Sequence, residues 1–540
     1  MGWRSFLRAV VLFALLTAVM TWPQVIKLAT HASGHHDVYF NLWRMGWVAH
    51  ALSSPAGLFD GNLFYPHDRV LTFSDALLVE ALTAAPLLWA GVPPALVHNL
   101  VLLGGIVLSG AGAYMLARHL TGSTGAAAAA GIVFAFAPYR FEHYMHLELQ
   151  WTVWIPWAFW ALDRAVDTGR LRFGVMTGVF IALQFMSSIY YGVFLATLLG
   201  LTAVLLLLEQ QQQRMRRAAL ALALGAVVGA AMCVPYALPY FETRNEMGAR
   251  STGEIAAYSA RPADYLVATQ DNYFYGSNRP RRGGPERRLF PGVMAVLLAL
   301  TALLVSEPST KVIVYLLTFV AAFELSLGVG GFTYPLVYDY VPLFGSLRAP
   351  ARLGIFVVFL LAILAAYGYA ALEQAVRGRA RPVMAIAVSA VLMLEYWVAP
   401  LTLLPYPNSP PPLYAWLATQ PRGLVAEFPL PTLDTLPGDE ARYAYMSTFH
   451  WMPTLNGYSG YYPASYLSAL ERLSNFPDDQ ATDTLRRTGV MYVIVHTGAY
   501  PGGTGTAVLE TIALNPAYSM AATFDGGRGA ATVFRLRQNR

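Results

Sequence analysis

Cysteine and charge are what this 540-residue sequence has least of. Its one cysteine, Cys233, rules out an intramolecular disulfide framework. Charged residues make up 12% of the chain, against about 25% in soluble domains. Lys and Arg outnumber Asp and Glu by 36 to 31, a net charge of +5. No nucleic-acid motif accompanies that excess, which reads as loop arginine. A Walker loop, HExxH, GxSxG and internal repeats are also missing, so neither ATP-driven transport nor a standard hydrolase motif is visible. What remains is apolar. Hydrophobic residues are 56% of the chain and mean hydropathy is +0.45, in repeated runs that mark a polytopic membrane protein.

Counting apolar runs by length predicts eleven spans: 5–28, 96–117, 124–139, 149–166, 173–188, 191–208, 217–237, 289–306, 311–328, 353–372 and 382–400. The first lacks a small-x-small cleavage site and reads as a retained anchor. Lys and Arg in the connections put the N-terminus in the cytoplasm and the C-terminus outside. Residues 76–90, "ALLVEALTAAPLLWA", are short for a span and read as a helix in the outer interface. Residues 238–288 read as an outer loop despite "RPRRGGPERR", which suits anionic head groups or phosphates.

The expected organisation is therefore a membrane domain, 1–400, with a first outer loop at 30–95. A proline-rich linker, 401–412, leads to a small extracytoplasmic α/β domain, 413–540. "GLVAEFPL" and "GVMYVIVHTG" read as buried strands there. "SYLSALERLSNF" and "DDQATDTLRRTG" read as amphipathic helices, and "AATFDGGRGAATVFRLR" as a closing hairpin.

Five polar clusters fall on the predicted outer side: residues 31–75, "PYRFEHYMHLELQW" (138–151), "SSIYYG" (187–192), "YDYVPLFGSLRAPARL" (338–353) and "LNGYSGYYP" (455–463). Polar groups at membrane depth are costly unless they line a cavity. Asp37, just after the first span, could orient or deprotonate an attacking hydroxyl, or simply cap the helix that follows. Helical spacing would set Arg140 beside His143 and His143 beside His146. These are candidate phosphate and sugar contacts, and a divalent metal is possible at the histidine pair; the plainer reading is an aromatic-rich interface. Arg348 and Arg352, four apart, could share a helix face and clamp a phosphate, or snorkel to lipid heads. Tyr190, Tyr191 and Tyr458 could stack on a sugar ring or a polyprenyl chain, or serve as interface and turn residues.

The order of parts resembles the GT-C superfamily of integral-membrane glycosyltransferases, in which an aspartate follows the first span in a large outer loop. The match here is Asp37 in "GHHDVYFNLW", the 76–90 segment and the C-terminal domain. "GNLFYPHDRVLTFSD", "FAFAPYRFEHYMHLELQ", "LQFMSSIYYGVF", "PLFGSLRAPARLG" and "NGYSGYYP" further resemble the bacterial YfhO-like group. The resemblance implies transfer of a sugar from a polyprenyl-phosphate donor to a glycan or lipid acceptor at the outer face of the bacterial cytoplasmic membrane. It implies Asp37 as the catalytic acid residue and Arg348 or Arg352 for the lipid phosphate. Membrane lipids are expected partners and nucleic acid is not. The family's second acid has no DxD here, only Glu142 or Glu148, which leaves metal use open. Two other classes fit the composition: a lipid or polysaccharide transporter, disfavoured by spans nearly free of charge, and a non-catalytic assembly protein.

Overall fold

The computed structural model describes residues 2–248, 250–276, 284–304, 309–341, 343–526 and 529–538. Residues 279–283 of "RPRRGGPERR" lie outside the described residues. Each of the eleven predicted spans overlaps a helix, with ends displaced by up to ten residues: Trp3–Met20, Pro94–Thr121, Thr124–Phe136, Trp154–Thr168, Leu171–Ser187, Ile189–Leu208, Gln212–Met247, Val293–Leu304, Thr310–Ser326, Gly354–Ala375 and Ala380–Glu395. Among the described residues, five segments are long and apolar enough to cross a membrane: Trp3–Met20, Pro94–Thr121, Ile189–Leu208, Gln212–Met247 and Pro350–Ala375. The chain is thus a multi-pass membrane protein. The Thr124–Phe136 helix has 13 residues, a rise of about 20 Å against a hydrocarbon core of about 30 Å. Length alone therefore accounts for fewer spans than the eleven helices. The helix beginning at Gln212 runs to Met247, ten residues past its predicted end and through Pro239; the hydropathy that set the predicted end marks where the apolar run stops, not where the helix does.

The chain separates into two compact units interleaved in sequence. One is Met1–Leu28 with Asn99–Leu403; the other is Ala29–His98 with Leu404–Arg540. Residues 29–98, expected as an outer loop of the membrane domain, group here with the segment from Leu404 onward.

In the first unit, glycines set how closely helices approach. A Cβ on Gly174 would lie 1.9 Å from the Ala221 carbonyl oxygen, and one on Gly178 1.9 Å from that of Gly225. Leu171–Ser187 and Gln212–Met247 thus pack backbone to backbone along a small-xxx-small seam, as membrane helices do when lipid supplies no hydrophobic drive for their association.

In the second unit, helix His36–Ser53 packs on helices Leu78–Trp89 and Glu440–Ser447. Residues 62–65 run beside 454–456. The Tyr65 N–H donates to the Thr454 carbonyl at 3.0 Å, the Thr454 N–H to that of Asn62 at 2.8 Å, and the Phe64 N–H to that of Asn456 at 3.0 Å. A four-stranded sheet follows in the order Leu424–Phe428, Val490–His496, Gly529–Leu536, Tyr518–Gly526. The first pair is parallel and the others antiparallel. Phe428, Val493, Val495, Leu485, Ile512 and Phe534 form its core. The predicted strands, both amphipathic helices and the closing hairpin are all present.

The seam makes a prediction. Gly178→Val should destabilise the protein by about 1–3 kcal/mol through overpacking, read as a lower Tm in detergent. Gly104→Val, whose Cβ meets nothing within 4 Å, should leave Tm unchanged. Equal shifts for the two variants would refute the seam.

Candidate active site

Asp37 opens helix His36–Ser53. It is not the N-cap residue: His35 holds that place, and its Nδ1 accepts the Asp37 N–H at 3.1 Å. Asp37 sits in the first turn, where the helix dipole favours a carboxylate. Its Oδ1 accepts the Tyr458 hydroxyl at 2.7 Å, and its Oδ2 lies 3.2 Å from His35 Nδ1. The Asp37 side chain is 16% exposed. Burial, and then the neighbouring Asp37 carboxylate, push the Tyr458 phenol up, with Arg44 opposing. Tyr458 therefore stays protonated and donates.

One and two turns on, the same helix face carries Asn41 and Arg44. The Arg44 guanidinium is buried. It donates to the Asp75 carbonyl at 2.6 Å and to the Asn41 side chain, and it lies 4.5 Å over the Phe40 ring. Phe40 in turn meets Tyr458 edge-on at 5.2 Å. Two of the sequence candidates, Asp37 and Tyr458, are thus brought together from positions 421 residues apart.

Tyr458 is held by its neighbours. Asn456 accepts the Glu427 N–H at 2.7 Å and donates to the Glu427 carbonyl at 2.9 Å and to Glu440 Oε1 at 3.0 Å. The Gly457 N–H donates to Glu440 Oε2 at 2.7 Å. Sequence reasoning passed over both glutamates. A lone acid inside the apolar run "LVAEFPL" is the signal that could have found Glu427.

The other candidates lie in the first unit. Arg140 is buried and committed to its own turn. Its guanidinium donates to the Phe134 carbonyl at 2.5 Å, to the Gln150 carbonyl at 3.1 Å and to Thr152 Oγ1. The helical spacing expected of 140–146 is broken, since one helix ends at Glu142 and the next begins at Leu147. Across that break His143 and His146 still meet, Nδ1 to Nδ1 at 3.3 Å. Burial holds the His143 imidazole down at about 3, so it is neutral, and its 3.7 Å approach to Glu286 is not an ion pair at physiological pH.

Glu286 and Arg288 were read only as part of a basic loop, yet both anchor this region. Glu286 Oε1 accepts two Arg352 N–H groups, at 3.0 and 2.6 Å. Burial pushes the Glu286 carboxyl up, but Arg352 outweighs it and holds it at about 2. Arg288 donates to Glu142 at 2.7 Å. Arg348 and Arg352 do not share the expected helix face, because Pro350 starts a 3₁₀ turn between them. Tyr190 joins them instead: its hydroxyl accepts the Arg348 N–H at 3.0 Å, and Arg352 lies 4.7 Å over its ring. The Arg348 side chain is 33% exposed, with Glu254 at a loose 3.8 Å. Tyr191 is buried, 3.4 Å from the Tyr139 hydroxyl.

The histidine pair does not make a metal centre by itself, since catalytic sites bring about three protein ligands. Among the described residues, a three-ligand group occurs at His119, Asp163 and Asp167. There the Lys311 ammonium already pairs with both carboxylates, at 2.5 Å from Asp163 and 3.4 Å from Asp167.

A family profile described as a domain of unknown function (DUF6311) matches residues 5–394. That is most of the chain, and the chain belongs to this family. No curated protein matches it. Among solved structures, a mutant of the mycobacterial arabinofuranosyltransferase AftD is similar at 18% identity and TM-score 0.53, over 100% of this chain and 42% of its own. The Archaeoglobus fulgidus oligosaccharyltransferase is similar at 12% identity and TM-score 0.49, over 98% of this chain and 74% of its own. ArnT from Cupriavidus metallidurans is similar at 14% identity and TM-score 0.48, over 97% of each chain. Identities this low speak to fold alone, and the similarity to AftD, at a TM-score above 0.5, supports the expected GT-C-like fold. The YfhO-like placement is finer than these similarities; the family shown is DUF6311.

The glutamate beneath Tyr458 yields a pH prediction. Burial holds the Glu440 carboxyl up at about 8, although Asn456 and the Gly457 N–H pull it down. Unfolded, the group titrates near 4.3. Between those values the unfolded chain releases a proton that the folded chain keeps. Stability therefore falls as pH rises from about 5 to about 8 and levels off above. Glu440→Gln, isosteric with the protonated acid, should flatten this fall in Tm. Identical pH slopes for the two proteins would refute the assignment.

Proposed function

We propose that this protein is a GT-C-type glycosyltransferase that moves a sugar from a polyprenyl-phosphate donor to a glycan or lipid acceptor at the outer face of the bacterial cytoplasmic membrane. The observation that carries the reading is the Asp37 carboxylate, pinned at the start of a helix by the Tyr458 hydroxyl at 2.7 Å. A sugar hydroxyl is a poor nucleophile at neutral pH. A carboxylate that accepts its proton, or its hydrogen bond, strengthens the attack on the anomeric carbon. As the C–O bond to phosphate breaks, the electron pair leaves with the lipid phosphate and the acceptor proton passes to Asp37.

Tyr458 orients Asp37 without competing for that proton, since its own phenol is pushed up by burial and by the carboxylate. Among the candidate arginines of the first unit, Arg348, one-third exposed, is the one left to meet an anion such as a phosphate, because Arg352 and Arg140 are already committed to Glu286 and to the 134–152 turn. Charge developing on a leaving phosphate makes such a cation count most in the transition state. The printed activity of the similar structure AftD, an arabinofuranosyltransferase, supports the general class. The YfhO-like subgroup and the orientation, with the N-terminus cytoplasmic and the C-terminal segment outside, belong to the same proposal.

Asp37→Asn keeps an acceptor for Tyr458 and removes the base. In proteoliposomes with a polyprenyl-phosphate-linked sugar, transfer should fall by about 10²-fold or more with Tm unchanged. Wild-type turnover in the folded variant would overturn the reading.

A further inference from the structure

The first unit holds an apolar cleft of about 570 Å³ between helices Leu171–Ser187, Ile189–Leu208 and Gln212–Met247. Two polar side chains line it, Thr177 and Cys233, and the Thr177 hydroxyl is spent on the Phe173 carbonyl at 2.9 Å. Such a space offers water no partners, so in a bilayer hydrocarbon fills it. The cleft is open along its side. Val234 and Phe241 belong to its lining and are 53% and 36% exposed, which lets a chain enter laterally from lipid.

Length decides what that chain is. Along helix Gln212–Met247 the lining runs from Leu222 to Phe241, a rise of about 28 Å in a hydrocarbon core of about 30 Å. One leaflet is half of that core, so a phospholipid acyl chain would leave about half of the cleft empty. A longer chain, continued through both leaflets, fills it. Cations mark one end. Leu343 lines the cleft beside Phe241. Arg244 follows Phe241 by one turn, and a Cβ on Gly345 would lie 3.2 Å from its Nη2. Among the described residues Arg244 makes no ion pair, whereas Arg250 and Arg348 share Glu254 at 3.2 and 3.8 Å. Gly192 lines the same end, two residues past Tyr190, whose hydroxyl accepts the Arg348 N–H.

We propose that this cleft holds the chain of a polyprenyl phosphate through both leaflets, with the phosphate on Arg244 and Arg348, and selects that lipid by its chain length. Two guanidinium groups suit one phosphate. Lipid tails are as apolar as the cleft, so the selection comes from packing rather than from the hydrophobic effect. A chain that stops halfway leaves the remaining wall atoms without contacts. The proposal rests on the transferase reading for the role of this lipid as donor; the binding itself is measured without an acceptor.

The test is native mass spectrometry of the full chain in detergent, with undecaprenyl phosphate, farnesyl phosphate, phosphatidylglycerol and inorganic phosphate as probes. The wild type should bind undecaprenyl phosphate about tenfold or more tightly than farnesyl phosphate. Gly200 lines the cleft about 12 Å past Gly192, and a Cβ there would meet nothing within 4 Å. Gly200→Phe should therefore keep its Tm, block the far part of the cleft and bring the two affinities to within about threefold. Partition of the longer chain into detergent is the same for both proteins, so the change in ratio is the readout. Gly200→Leu should give an intermediate ratio. Arg244→Gln should weaken both lipids about tenfold and keep their ratio. An unchanged ratio in folded Gly200→Phe and Gly200→Leu would overturn the proposal. Phosphatidylglycerol binding as tightly as undecaprenyl phosphate would overturn it in favour of a bilayer lipid. Inorganic phosphate binding as tightly as either lipid would overturn it in favour of an anion site alone. Asp37→Asn should bind undecaprenyl phosphate as the wild type does, so failed transfer and failed lipid binding are told apart.

Discussion

The Asn456 side chain is the joint on which the second unit depends. With one amide it closes a two-point bond to the Glu427 backbone and reaches Glu440, while the next residue's N–H takes the other Glu440 oxygen. The backbone around it is irregular, so these bonds do what a ladder would do in a sheet. Polar networks at this depth are costly when half satisfied and rigid when complete. Gly457 is required at the next position, since a Cβ there would stand 2.4 Å from the Phe64 ring. Tyr458 leaves this joint with one direction open to it, and that direction ends on Asp37.

The first unit uses buried ion pairs to the same end. Arg352 with Glu286, Arg288 with Glu142 and Arg287 with Asp264 tie residues 286–288 to Asp264, Glu142 and Arg352. Such pairs add little net stability over apolar packing, but breaking one strands a buried charge. Their role here is to hold irregular segments in one geometry. Arg352 is spent on such a pair, Arg140 on the carbonyls of its own turn, and Arg348 is still partly open.

Much of the fold was legible because hydropathy is written along the chain. Eleven apolar runs matched eleven helices, and two short apolar runs and a closing hairpin marked the sheet. The site was legible only in pieces. Asp37 and Tyr458 each stood out by residue type and neighbourhood, but nothing local joins them. Arg348 and Arg352 looked like a helical pair because four-residue spacing suggests one, and Pro350 between them ends that geometry. Glu286 was hidden among arginines, where its charge reads as part of a basic loop rather than as the partner of one residue in it.

The sequence by itself determined the class: a multi-pass helical membrane protein with a sheet-bearing segment after a proline-rich stretch. Burial of apolar runs in lipid requires only local composition and length, so one dimension suffices. Tertiary structure alone decided that residues 29–98 fold with the C-terminal segment, which polar groups meet, and which charges are already neutralised. Those outcomes depend on contacts between residues hundreds of positions apart, and electrostatic pairing carries no periodicity by which a chain could announce them.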